Sequence, residues 1–186
     1  MGKAIMQDVL EGIDKPLAIL QSHLVDKLDW LDRSFGKCQV LTAKGSLGRE
    51  IYPAIYESNI GREDYQDLRP NDNLGNFSFF AMRDPEKIGY DEGINKTHNS
   101  LVSLIFWYNI EDIQGRYSRS TESIRMSVIN TLSKSLMRLR VTETFSEPKN
   151  VYQGFTLSSK EEDVQYNMHP YAVLRVDFNL IWEEEC

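Results

Sequence analysis

The chain has 186 residues, 41% of them hydrophobic and 26% charged, with a formal net charge of -7. That length suits one α+β domain spanning residues 1–186 with a substantial core, and the acidic balance argues against a grip on nucleic-acid phosphates through clustered Lys and Arg. The longest apolar run, Leu104 to Tyr108, falls far below the roughly 20 residues that span a bilayer, so no membrane is expected among its partners.

Residues 1–13 read as a short arm or strand. Met1 to Asp8 contains no continuous apolar segment, which excludes a secretory signal, and Met6 departs from the myristoylation pattern. From Asp14 onward Leu17, Leu20, Leu24, Leu28 and Leu31 recur every three or four residues, the stripe of an amphipathic helix. Asp14 is placed to cap it and Pro16 lies in its first turn, where a missing N–H costs nothing. Residues 37–43 and 49–57 read as two strands around the glycines of Lys44-Gly45-Ser46-Leu47-Gly48. Pro53 lacks an amide donor, which predicts an edge position or an irregular start for the second of them.

Two polar excursions follow, residues 58–76 and 86–99, on either side of a strand at Phe77 to Met82. Both exceed the usual connection, so each is expected to be functional or ordered by a partner. Ser100 to Ile110 is apolar on both faces, with Leu101, Ile105 and Trp107 on one and Val102, Leu104, Phe106 and Tyr108 on the other. Such a strand is central, and its sheet needs a cover on both sides, by helices or by a second subunit.

Ser118 to Glu122 opens a second helix, with hydroxyls at the start and Ile124, Val128, Ile129, Leu132, Leu136 and Leu139 down one side. Lys134, Arg138 and Arg140 suit its negative end. Residues 141–145 read as a short strand, Pro148 ends it, and Val151, Tyr152 and Phe155 suit a single helical turn. The last strand, Tyr171 to Trp182, places Ala172, Leu174, Val176, Phe178, Leu180 and Trp182 in one apolar row. Its other row is polar at Arg175, Asp177 and Asn179, which predicts one face on the core and one toward water or a neighbouring subunit. The whole describes a mostly antiparallel sheet packed by two main helices, with long loops.

Chemistry is sparse. Nucleophile-elbow, zinc-protease, phosphate-loop and dinucleotide-loop motifs are all missing. Cys38 and Cys186 have no zinc or disulfide spacing, and a reducing compartment follows. His23, His98 and His169 lie too far apart for a local metal motif. A small enzyme would have to assemble its site from His98, His169 and loop acids, and a nonviral partner-binding module would use an exposed strand edge.

The order of elements is informative: a leading helix, a strand pair containing Ile51-Tyr52-Pro53-Ala54-Ile55-Tyr56, two further strands, the helix from Thr121, a helical turn, and the closing Pro170 to Leu180. This resembles the tail-terminator and tail-completion proteins of tailed bacteriophages. The resemblance implies a noncatalytic virion subunit without cofactor or metal, made in the host cytoplasm. It implies a homo-oligomeric ring, hexameric as a first expectation, that joins other neck or tail proteins while DNA passes without sequence-specific binding. The long excursions would then supply contact or lumen loops, and the expected subunit-interface residues are Tyr65, Leu68, Arg69, Leu74, Ile88, Tyr90, Ile94 and Trp182.

Overall fold

The structure, a computed structural model, describes residues 2–6, 9–45, 48–57, 64–83, 86–90, 96–115, 120–156 and 168–183. Its spine is a pair of strands far apart in sequence, β8 (Lys96–Asn109) and β10 (Tyr171–Glu183). They run antiparallel in unbroken register from Tyr171↔Asn109 to Glu183↔Thr97. Each therefore buries a long apolar row against the same two layers.

Around this spine lie β1 (Lys3–Ile5), β2 (Arg33–Lys37), β6 (Phe77–Met82), β7 (Lys87–Tyr90) and β9 (Arg138–Phe145). The path through the sheet is β1-β2-β6-β8-β10-β9, with β7 pairing the start of β8. A second sheet holds β3 (Gln39–Gly45), β4 (Gly48–Glu57) and β5 (Asp64–Asp67), in that order. The fold is α+β, as the sequence pattern predicts. Periodicity did not reveal that β1, β2 and β6 are mutually parallel. Parallel neighbours need a crossover, and the leading helix α1 (Asp14–Lys27) provides it between β1 and β2. Buried Gln21 fastens this unit by donating to the carbonyls of Ile5 and Ser34 at 3.0 and 2.9 Å.

Both faces of the main sheet are covered by the chain itself. On one face α1 and α3 (Glu122–Ser133) press Leu17, Leu20, Leu24, Ile124, Val128 and Leu132 onto Leu104, Phe106, Leu174, Val176 and Phe178. On the other, Ile55 from the small sheet, Leu68 just after it, Leu74, and Val151 and Tyr152 at the end of α4 (Pro148–Val151) cover Phe77, Phe79, Ile105, Trp107 and Val173. The middle of the second row of β10 does not face water: Val173, Arg175 and Asp177 are buried, while Asn179 is half-buried and Ile181 exposed.

Several boundaries differ from the sequence reading for identifiable reasons. The leucine stripe continues past α1, which stops at Lys27; Leu28 and Leu31 remain buried because the turn after the helix folds back, Leu31 N–H donating to Leu28 C=O. Likewise α3 ends at Ser133 in a serine-rich turn, leaving Leu136 98% exposed and Leu139 in β9. A stripe read by spacing alone cannot see where a helix ends. Pro53 sits in the middle strand of the small sheet, not at an edge or start. Its carbonyl accepts from Leu68 N–H just beyond the last β4–β5 pair, Ala54↔Asp67, so its nitrogen faces a place where no ladder bond is needed.

The two polar excursions also carry regular structure. The first includes β5 and the 3-10 turn Asp72–Leu74; the second includes β7 and the start of β8. A short helix, α2 (Ile110–Gln114), follows β8, capped by Asn109 Oδ1 accepting from Glu111 N–H at 2.9 Å. Gly75 turns the chain at φ 65, where a side chain would be strained and a Cβ would lie 2.6 Å from Asp32 Oδ2. That carboxylate accepts from Asn76 N–H at 2.8 Å and sets the entry to β6.

Candidate functional site

The expected interface residues divide sharply. Leu68, Leu74 and Trp182 belong to the subunit's own core, so they have no surface to offer a neighbour. Trp182 stacks on His98 with centroids 4.0 Å apart and donates from its indole to Ser100 Oγ at 3.4 Å. Arg69 is half-buried and already engaged: it pairs with Glu50 at 2.8 Å and Asp67 at 2.6 Å and lies over the Tyr52 ring. Those two carboxylates hold its guanidinium proton more tightly than usual, against the opposing effect of burial. Tyr65 is exposed and packs edge-on against Tyr56 across β4 and β5, and Ile88 is exposed on β7. Tyr90 ends β7 with its side chain undescribed, and Ile94 lies outside the described residues.

The densest polar arrangement was not expected from sequence. Arg175 and Asp177, two apart on β10, point to the same face and pair at 3.1 Å through two nitrogens, with side chains only 5% and 9% exposed. Ser103 Oγ, from the neighbouring strand β8, donates to Asp177 Oδ1 at 2.5 Å and accepts from Arg83 Nε at 2.8 Å. Two guanidiniums thus face one carboxylate. The remaining donors reach the turn around α4: Arg175 Nη1 to Asn150 C=O at 2.5 Å, Arg83 Nη1 to Gln153 C=O at 2.6 Å and Arg83 Nη2 to Val151 C=O at 3.5 Å. Arg175 also lies 4.0 Å over the Phe145 ring.

The carbonyls at a helix C-terminus lack internal partners and carry partial negative charge. The arginines satisfy them and hold Val151 and Tyr152 against the sheet. Burial, and then the charge of Arg175, lower the proton affinity of Arg83, while Asp177 partly restores it. Chemically the centre is a clamp whose guanidiniums face Asp177, Ser103 and the carbonyls around α4, with Arg175 Nε in ionic contact with Asp177 but without a hydrogen bond of good geometry. A row read as polar from sequence was buried because α4, remote in the chain, lies across it; the only local signal was the apolar Val173 beside it.

The histidines do not converge. His98 pairs with Trp182 near one end of the β8–β10 ladder, whereas His169 precedes Tyr171 at the other. At roughly 3.3 Å per residue the strand separates those ends by about 36 Å, so no single site contains both. His98 Nδ1 lies 3.0 Å from Glu86 Oε2, and the other oxygen of Glu86 accepts from Ser100 Oγ at 2.8 Å. His23 Nε2 donates to Thr131 C=O at 3.0 Å, tying α1 to α3. Cys38 is buried at the β2–β3 junction, and desolvation pushes its thiol up to about 12, against a smaller opposite effect of Arg83. Among the described residues no group of three His, Cys, Asp or Glu is placed to hold a metal ion, and no helix is long and apolar enough to cross a membrane.

What the described surface does offer is edges. At opposite sides of the main sheet, β1 pairs only β2 and β9 pairs only β10 among the described residues, and β3 is an edge of the small sheet. β9 carries a bulge opposite Asp177 and Phe178, where Thr142 Oγ1 donates to Asp177 C=O at 3.0 Å. A scan against models of known protein families matches none, and a search of curated proteins finds no match.

Proposed function

We propose that the chain is a noncatalytic structural subunit of a phage head–tail neck or tail, assembling into a ring around the DNA passage. The observation that carries the reading is the pair of dissimilar edges, β1 and β9, each with one strand neighbour among the described residues, at the two sides of a sheet whose central strands are covered on both faces. A ring with cyclic symmetry joins unlike surfaces head to tail, and sheet edges present unpaired backbone donors and acceptors suited to such a joint. Exposed Tyr65 on β5 and Ile88 on β7 offer further side-chain contacts. The buried polar groups support the same reading, because the Arg83–Ser103–Asp177–Arg175 clamp is spent on holding α4. The element order that resembles tail terminators supplies the virion context, and a sixfold ring remains the first expectation.

Native mass spectrometry of the purified chain, with imaging of intact particles, tests this. A ring species, and ring density at the head–tail junction that fits this fold, are expected. Absence of the protein from purified particles would overturn the assignment. A strict monomer that takes an extended peptide along β9 would instead place the chain among partner-binding modules.

A further inference from the structure

A cleft of about 580 Å³ opens where α1 and α3 cross, lined by His23 and Lys27 from α1 and by Ser123, Met126, Ser127, Asn130, Thr131 and Lys134 from α3 and its cap. Its chemistry is at odds with the rest of the molecule. The chain carries 28 acids against 21 bases, yet the lining holds two lysines, a histidine and several hydroxyl or amide groups without one carboxylate. Neither Lys27 nor Lys134 has an ion-pair partner among the described residues. Glu122, the acid beside Ser123, is bound to Arg125 at 2.5 and 2.9 Å. Asp26 adjoins Lys27 on α1 without entering the lining.

We propose that this cleft receives a short carboxylate-bearing segment of a partner protein. The inference goes beyond the ring assignment and does not depend on it. Lys27 is the last residue of α1 and Lys134 caps α3, while Ser123 lies in the first turn of α3, so the lining runs the whole length of α3. Phosphate sites draw on convergent backbone N–H groups at helix N-termini or in nests, whereas the groups lining this cleft are spread along the length of α3. Its donors are side chains strung along one helical stripe, Ser123, Ser127, Asn130 and Lys134. That stripe runs about 16 Å at the α-helical rise, the reach of roughly five extended residues. Carboxylates spaced along a peptide can each take one or two such donors, whereas a compact three-oxygen anion cannot reach them together. Lysines at helix ends also complement the helix dipole, which accounts for the charges but not for the open volume between them. Met126, 42% exposed in the same wall, gives an apolar contact for the stems of glutamate side chains.

The test uses the full chain and a fluorescein-labelled hexaglutamate peptide, with binding read by anisotropy and mapped by amide chemical shifts. Binding at low salt is expected to shift amides of His23, Lys27, Ser127, Asn130 and Lys134. It should weaken about tenfold in the Lys27→Glu/Lys134→Glu variant, as loss and reversal of two solvated charge contacts implies. Should that variant not fold, Lys27→Gln/Lys134→Gln replaces it, with a smaller loss in the same direction. A Lys15→Glu/Lys87→Glu control, which reverses two exposed lysines outside the cleft, should bind like the parent. Equal weakening in the control, or peptide shifts confined to other surfaces, would overturn the proposal. So would saturable cleft shifts with inorganic phosphate but none with the peptide, which would assign a small-anion site.

Discussion

Replacing Asp177 by alanine isolates the energetics of the buried clamp. The carboxylate is nearly enclosed and faces Arg175 through two contacts at 3.1 Å and Ser103 at 2.5 Å. Its removal leaves the buried Arg175 guanidinium with only the Asn150 carbonyl and the Phe145 ring for company, and half-buried Arg83 with Ser103 and two carbonyls. Breaking a buried pair by deleting one partner costs about 3–5 kcal/mol, and screening reduces this little because both side chains are below a tenth exposed. For a chain of this size each kcal/mol lowers the melting temperature by about 2–4 °C, so a fall on the order of 10 °C is expected. Urea unfolding should show a lower midpoint at unchanged slope. The double variant Arg175→Met/Asp177→Leu removes both charges while keeping apolar volume, and it should recover to within about 1–2 kcal/mol of the parent. The reasoning fails if Asp177→Ala costs less than about 1 kcal/mol, or if the double variant is as unstable as the two single changes added together.

Three further outcomes follow from particular contacts. The Cys38 thiol is raised from 9.0 to about 12 in the folded protein, so its contribution is complete below pH 9 and is lost as pH climbs from 9 toward 12. At pH 10 this amounts to about 1.4 kcal/mol; burial raises Tyr108 and Tyr152 as well and steepens the decline at higher pH. Urea midpoints across pH 8 to 11 should fall less steeply in Cys38→Ala, and parallel slopes would refute the role given to the thiol. Trp182→Ala should destabilise the isolated subunit by about 3–5 kcal/mol, because Trp182 lies in the core; loss of assembly with unchanged subunit stability would return it to the interface. Gln21→Leu strips the donor from the Ile5 and Ser34 carbonyls, at a cost of roughly 1–3 kcal/mol. Hydrogen exchange should show β1 released first, and a ring joined through β1 should weaken with it.

Local pattern alone determined a good deal. The two-residue period of Ala172 to Trp182 and the doubly apolar run from Leu101 to Tyr108 made them strands, and their apolar rows required layers on the sheet. The leucines of α1 and the Ile124–Val128–Leu132 series of α3 marked the two helices, because side chains three or four apart share a helical face. Pairing, burial and helix ends were beyond such patterns, since each depends on segments distant in the chain. The parallel placement of β1 and β2 followed from how α1 returns the chain, and that of β2 and β6 from the small-sheet segment that connects them. Leu68 and Leu74 looked available in polar text, and Trp182 at the end of an apolar row, but tertiary packing buries the two leucines in the core and stacks Trp182 on His98. Arg175 and Asp177 read as a solvent row until the α4 turn, arriving from residues 148–154, supplied carbonyls for the surplus guanidinium donors. A charge enters a protein interior only where partners await it, and those partners are set by tertiary structure.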